Sequence, residues 1–283
     1  MRPAVDTPVA AAKRPQLELS GPRLALAFES LIAASDDHGG VERYVDALKL
    51  KAHAFRQALG DGKAAGASLA DLRKAVACMS TVRRRAGGHL EATTFGALRS
   101  AIAALLDGCE DTSTADARIA GFCEAFPVDR EHRWVRDLAG EVLHNVDPER
   151  YPSMCRWVWD ARLNTGVVRE IWHGENVDHV LIDVPDRYET FVVLREELAQ
   201  FLAADGVFRD VIQYVDLLTA QVYANYLSEQ GGSYLRADFA SREDPMLHVV
   251  RLLGLDGIGA NGRSRLRAVD GTALVVDPQQ LPT

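Results

Sequence analysis

Apolar residues return at intervals of three and four along most of this chain, a spacing that packed α-helices satisfy and strands do not. Leu24, Phe28, Leu31 and Ile32 share one helical face, and Val41, Tyr44, Val45, Leu48, Ala52, Phe55 and Leu59 share another. After the break at 60–66, Ser68 stands where a helix cap belongs, with Asp71 three residues on and Leu69, Leu72, Val76, Met79 and Val82 as the buried stripe. Phe95, Leu98, Ile102, Leu105 and Leu106 define the next helix. Ser113 or Thr114 caps a short one carrying Ile119, Phe122 and Phe126. Asp129 opens another, whose apolar face is Trp134, Val135, Leu138, Val142 and Val146.

Pro148 and Pro152 interrupt the pattern, because proline removes a backbone donor and bars the preceding residue from the helical region. Met154, Trp157 and Val158 then predict a helix over 153–163, closed by Asn164-Thr165-Gly166. Val180-Leu181-Ile182 reads equally as a short strand or an extended connection. Pro185 and Asp186 start a helix with Glu189 at the capping-box position, and 206–228 predicts a long central helix with apolar residues, Phe208 among them, around much of its circumference. Asp244-Pro245 opens a short helix, and Leu274-Val275-Val276 is an edge-strand candidate. The expected fold class is all-α: a multi-helix globular bundle of about nine or ten helices with at most short edge strands near the C-terminus. Residues 1–20 read as a mobile leader, 21–276 as a helical globular domain that is either one unit or two packed subdomains with a seam near 108–113, and 277–283 as a frayed tail.

The chain has 283 residues, 47% of them hydrophobic, and a net charge of −8, which argues against broad electrostatic attraction to nucleic acid or anionic membrane. No apolar run reaches the roughly 18 residues that a spanning helix needs. Cys78, Cys109, Cys123 and Cys155 are far apart and form no CxxC pair, so they read as thiols of a reducing compartment, the cytoplasm. Cys155 would need a base such as His144 or His173 to act as a nucleophile, and no spacing supplies one. Gly-x-Ser-x-Gly, P-loop and EF-hand patterns are missing from the sequence.

Four constellations carry chemistry. His173, Glu175, Asp178 and His179, with His144 joining through the fold, offer imidazoles and carboxylates suited to a divalent metal. Arg156, Trp157, Asp160 and Arg169 sit in the aromatic-rich stretch and are candidates to line a small-ligand pocket or to form a buried charge network. Arg83-Arg84-Arg85 reads first as cations complementing the dipole at a helix C-terminus. Gly257 and Gly259, followed by Arg263 and Arg265, lie in a segment whose Gly-hydrophobic-Gly turn resembles the hairpin of helix-hairpin-helix DNA-binding modules. The resemblance covers about fifteen residues, has Arg263 where those modules place alanine, and implies phosphate contact by backbone amides at the start of a second helix.

The leading functional expectation is an accessory or regulatory interaction module whose partner is another protein. The alternatives are a metal-dependent or small-ligand enzyme using 144–183, and a nucleic-acid binder using 255–267.

Overall fold

The computed structural model describes residues 14–174, 177–234, 245–257, 263–267 and 272–275. The fold is all-α, with ten α-helices among these residues: α1 (Gly21–Asp36), α2 (Glu42–Leu59), α3 (Leu69–Ala77), α4 (Phe95–Leu106), α5 (Ala115–Glu124), α6 (Trp134–Val146), α7 (Val167–Glu170), α8 (Tyr188–Ala204), α9 (Val211–Tyr234) and α10 (Pro245–Leu252). β1 (Arg263–Arg267) and β2 (Ala273–Val275) form an antiparallel pair, with Arg263 opposite Val275 and Arg267 opposite Ala273. None of the described helices is long and apolar enough to cross a membrane.

Two helices organise the rest. α9 packs against α1, α2, α7, α8 and α10, and residues 215–222 are buried without interruption, as a helix with apolar residues on most sides requires. α6 packs against α2, α4 and α5, and all of it but Arg136 and His144 is buried. One cluster of buried apolar side chains runs from Leu24 to Leu266.

Capping follows the sequence in one place and departs from it in others. Ser68 and Asp71 form the reciprocal capping box of α3. Before α5, the Asp111 carboxylate accepts the Ser113 backbone N–H, while Thr114 makes no side-chain cap. α8 lacks the box expected from Glu189. Its first N–H, that of Tyr188, donates instead to Asp116 on α5 at 2.9 Å. α9 begins at Val211, leaving Phe208 largely exposed.

Residues 153–163 are not helical. Asp160 and Thr165 bridge, Val167 N–H donates to the Trp157 carbonyl at 3.1 Å, and Val168 N–H donates to that of Val158 at 3.1 Å. The chain therefore doubles back through Gly166 (φ +117°), where a Cβ would lie 2.7 Å from the Val158 carbonyl oxygen. Residues 154, 155 and 157–160 are buried, so their three-and-four spacing reflects all-round burial and not a helical face. Nor does the expected leader extend intact to Ser20: Leu19 bridges to Trp172, and Ser20 N–H donates to the Ile171 carbonyl at 2.8 Å.

α3 ends at Ala77, short of the stripe that continues to Val82, and Met79 and Val82 reach the core from turns. A loop after α10 presses against this end of α3. A Cβ on Gly254 (φ +69°) would meet the Cys78 carbonyl oxygen at 1.9 Å, and one on Gly257 would meet that of Ala77 at 2.4 Å. Arg83, read as a dipole-complementing cation, is instead buried and paired with Asp256 at 2.7 Å, and Arg265 on β1 lies 2.9 Å from the same carboxylate. Gly254→Ala is expected to destabilise by about 3 kcal/mol or more, from overpacking together with a left-handed backbone. Gly121→Ala, on an exposed turn of α5 with open space around it, is expected to stabilise by about 0.5–1 kcal/mol. Urea unfolding of the two variants beside wild type checks both signs.

Candidate functional site

α6 presents Asp137, Glu141, His144 and Asn145 at intervals that place them along one side of the helix, and each finds a partner in the interior. Asp137 accepts three N–H groups of Arg156: the backbone at 3.0 Å, Nε at 3.1 Å and Nη2 at 2.6 Å. Glu141 lies 3.7 Å from Lys51 of α2 and accepts Asn145 Nδ2 at 3.0 Å, while Lys51 Nζ donates to the Leu253 carbonyl at 2.8 Å. A buried charge left alone would cost several kcal/mol, so these groups hold each other in place.

His144 completes the set. Its Nδ1 donates to the Tyr151 carbonyl at 2.8 Å, and its Nε2 lies 3.2 Å from Asp216 of α9. Burial pulls its pKa down, but the Asp216 charge and hydrogen bond, with the Tyr151 carbonyl and Glu141, outweigh burial and leave it raised above the ordinary 6.5. Both ring nitrogens face acceptors, so neither offers the lone pair that a metal ligand or general base requires. The adjoining cavity of about 20 Å³, lined by Ser153, Phe191 and Thr219 among others, has room for a single water.

The metal-ligand candidates are placed apart in function. His144 belongs to this interior pair, and the residues around its cavity come from α6, 148–158, α8 and α9, with none from the 173–179 loop. His173 is exposed, and its N–H donates to the Glu18 carbonyl at 2.7 Å. His179 is exposed at the end of a short 3-10 turn. Glu175 and the Asp178 side chain lie outside the described residues. Among the described residues no group of three or more His, Cys, Asp and Glu side chains is placed to hold a metal ion.

Of the pocket candidates, Arg156 serves Asp137, and Asp160 closes the 160–165 turn by accepting the Leu163 N–H at 3.0 Å. Trp157 packs its ring 5.7 Å from that of Tyr223. Arg169 lines a sizeable recess. The helix-hairpin-helix expectation is corrected, because β1 stands where the second helix would begin and Gly257 is buried against α3. Arg263 lies on β1, Arg265 pairs with Asp256, and Gly259 lies outside the described residues. Cys78 and Cys155 are buried thiols with pKa raised chiefly by burial, and the Cys155 Sγ faces the Asp137 carbonyl and no histidine.

The recess at Arg169 is a cleft of about 390 Å³ between α1, α7 and α9. α1 contributes Arg23, Leu26 and Ala27, α7 contributes Arg169 and Glu170, and α9 contributes Val222, Asn225, Tyr226 and Glu229. Arg23 Nη1 donates to the Glu170 carbonyl at 2.9 Å, which ties α1 to α7 at the cleft. Gln221, buried one turn below, donates Nε2 to Asn225 Oδ1 at 2.7 Å and so fixes that amide. Tyr226 packs 5.7 Å from Tyr223, extending the aromatic row that begins at Trp157. Sequence reading missed Arg23, Asn225, Tyr226 and Glu229. The available signal was the 222, 225, 226, 229 spacing, which puts polar groups on one face near the end of an otherwise apolar helix. Comparison of the chain with protein-family models, curated proteins and solved structures finds no match.

The His144–Asp216 pair makes a pH-dependent contribution with a definite sign. A raised histidine pKa stabilises the fold fully below the ordinary 6.5, and that stabilisation is lost as pH rises through the folded value. His89 runs the other way: burial and then His132 lower its pKa, so it removes stability as pH falls below 6.5. The difference between wild type and Asp216→Asn isolates the first. NMR titration is expected to put His144 above 6.5 in wild type and lower in Asp216→Asn, with the stability difference shrinking as pH rises. A wild-type midpoint at or below 6.5 would contradict the pairing.

Proposed function

We propose that this protein is an accessory binding module, a helical scaffold that receives part of a partner protein in the α1–α7–α9 cleft. The observation that carries the reading is the make-up of that cleft: charged Arg23 and Glu229 and aromatic Tyr226 stand around Leu26, which is 62% exposed. Arginine and tyrosine supply planar donors and rigid contact area, and they concentrate where protein surfaces meet. The interior supports a scaffold role, since the pairs Lys51–Glu141, His144–Asp216 and Arg156–Asp137 tie α6 to α2, to α9 and to the irregular segment after it. Free thiols at Cys78, Cys109, Cys123 and Cys155 support a reducing compartment such as the cytoplasm.

A second reading, binding of a small polar molecule in the same cleft, is favoured by volume, because about 390 Å³ falls in the range of small-ligand sites. A photo-crosslinking residue placed at Leu26, with one at the fully exposed Val128 as control, tests the module in cells. The expected result is a protein adduct at position 26 that is lost in Arg23→Glu/Tyr226→Ala and does not form at position 128. No adduct at 26, or equal adducts at both, would overturn the partner reading. A small-molecule mass retained in native mass spectrometry and lost in the same double variant would establish the second reading in its place.

A further inference from the structure

The fold brings two arginine-rich stretches, far apart in sequence, to one place. β1 packs against α3 and against the short 3-10 turn Ala86–His89, and its Arg267 N–H donates to the Arg83 carbonyl at 3.3 Å. Arg84 and Arg85 therefore lie between two pieces of chain that β1 touches, Arg83 before them and Ala86–His89 after them. Side chains along β1 alternate as an extended chain requires: Ser264 and Leu266 are buried, whereas Arg267 is exposed and the Arg265 side chain is 40% exposed. The Arg265 N–H donates to the Gly257 carbonyl at 3.2 Å, and β2 pairs with the strand. With its backbone so engaged, what β1 offers to solvent is arginine side chains.

These arginines stand in a chain that has acids to spare, 40 against 32 bases. Asp256 meets Arg83 and Arg265, yet the side chains of Arg84, Arg85 and Arg267 make no ion pair or hydrogen bond among the described residues. Residues 69–91 and 256–270 together contain eight bases and four acids, a local balance of +4. Since the whole chain stands at −8, the remainder carries −12. The basic character is thus confined to α3, the turns after it and the β1 hairpin.

From this arrangement we infer that the face formed by Arg84, Arg85 and β1 docks an acidic segment of a partner protein, a short run of aspartates and glutamates. Planar guanidinium forks grip carboxylates through paired hydrogen bonds, and lysine has no such geometry. The extent of the face sets the length of the occupant. Five residues of β1 span about 17 Å, and salt confines the field beyond them to about 8–10 Å. A nucleic acid duplex would run on past that limit over surface of the opposite balance, and its affinity depends on phosphates neutralised along its length. A short acidic segment ends where the arginines end. The face shares no residue with the α1–α7–α9 cleft, so the inference does not rest on what the cleft holds.

The test uses the full chain and a fluorescent peptide of about six glutamates, long enough when extended to span β1, at physiological ionic strength. Wild type is expected to bind it, with affinity falling as salt is added. Arg84→Glu/Arg85→Glu/Arg267→Glu is expected to bind at least about tenfold more weakly. Arg130→Glu/Arg162→Glu/Arg209→Glu changes the net charge equally at three other exposed arginines and is expected to stay within about threefold of wild type. Both variants are expected to unfold in urea close to the wild-type midpoint, because none of the six side chains has a partner to lose among the described residues. Equal losses in the two variants would overturn the inference, and so would a wild type that leaves the peptide unbound. A single-stranded oligonucleotide of the same charge that binds more tightly than the peptide, and is released by the first variant alone, would give the face to nucleic acid instead. Self-association of wild type that only the first variant abolishes would give it to a second copy.

Discussion

The fold depends on a helix whose polar side is buried. Asp137, Glu141, His144 and Asn145 of α6 point away from solvent; Asp137 reaches Arg156 in the irregular segment, Glu141 reaches Lys51 on α2, His144 reaches Asp216 on α9, and Asn145 braces Glu141 within the helix. Apolar packing is tolerant of small rotations and slips, but a buried carboxylate is not, because moving it off its partner leaves a charge in a low-dielectric interior. The polar side of α6 therefore fixes where α2, α9 and residues 151–160 sit relative to it. The His144–Asp216 pair belongs to this frame.

A second constraint acts through backbone contact. Gly254 and Gly257 bring the loop after α10 so close to Ala77 and Cys78 that no side chain fits between, and Asp256 between them meets Arg83 and Arg265. The basic run at 83–85 and the glycine-rich segment at 255–267 look like two separate signals in sequence. In the structure one ion pair accounts for the first residue of the run and for the acid of the glycine loop. Glycine repeats that would let amides approach a phosphate equally let a loop approach the end of a helix, and here the protein's own carbonyls occupy that space.

Helices with one dry face were legible in sequence, and α1, α2, α4, α8 and α10 fall close to where the periodicity puts them. Legibility failed where burial is all-round. Met154, Trp157 and Val158 keep helical spacing in a segment that doubles back at Gly166, because a residue buried on every side gives no period to read. On α6 the apolar stripe was read correctly, and the opposite side, which sequence alone assigns to water, proved to be interior. Capping by a neighbour, as when Asp116 holds the start of α8, has no local signature at all. The cleft was hidden for the same reason: Arg23, Arg169 and Tyr226 are brought together by three helices that are distant in sequence.

Residues 147–187 hold little regular structure, yet they contribute Arg169 and Glu170 to the cleft. A backbone without a helical ladder must satisfy its polar groups one at a time, and this segment does so with side chains: Asn164, Trp159 and Asp160 each stand in for a missing backbone partner. In this way Asn164 and Trp159 complete one edge of 180–184. Rigid helices with an irregular segment laid across them are a common division of labour between scaffold and recognition. Here it follows from the two prolines at 148 and 152, which stop α6 from continuing, and from the buried charges that hold the segment against the core once helix is no longer available.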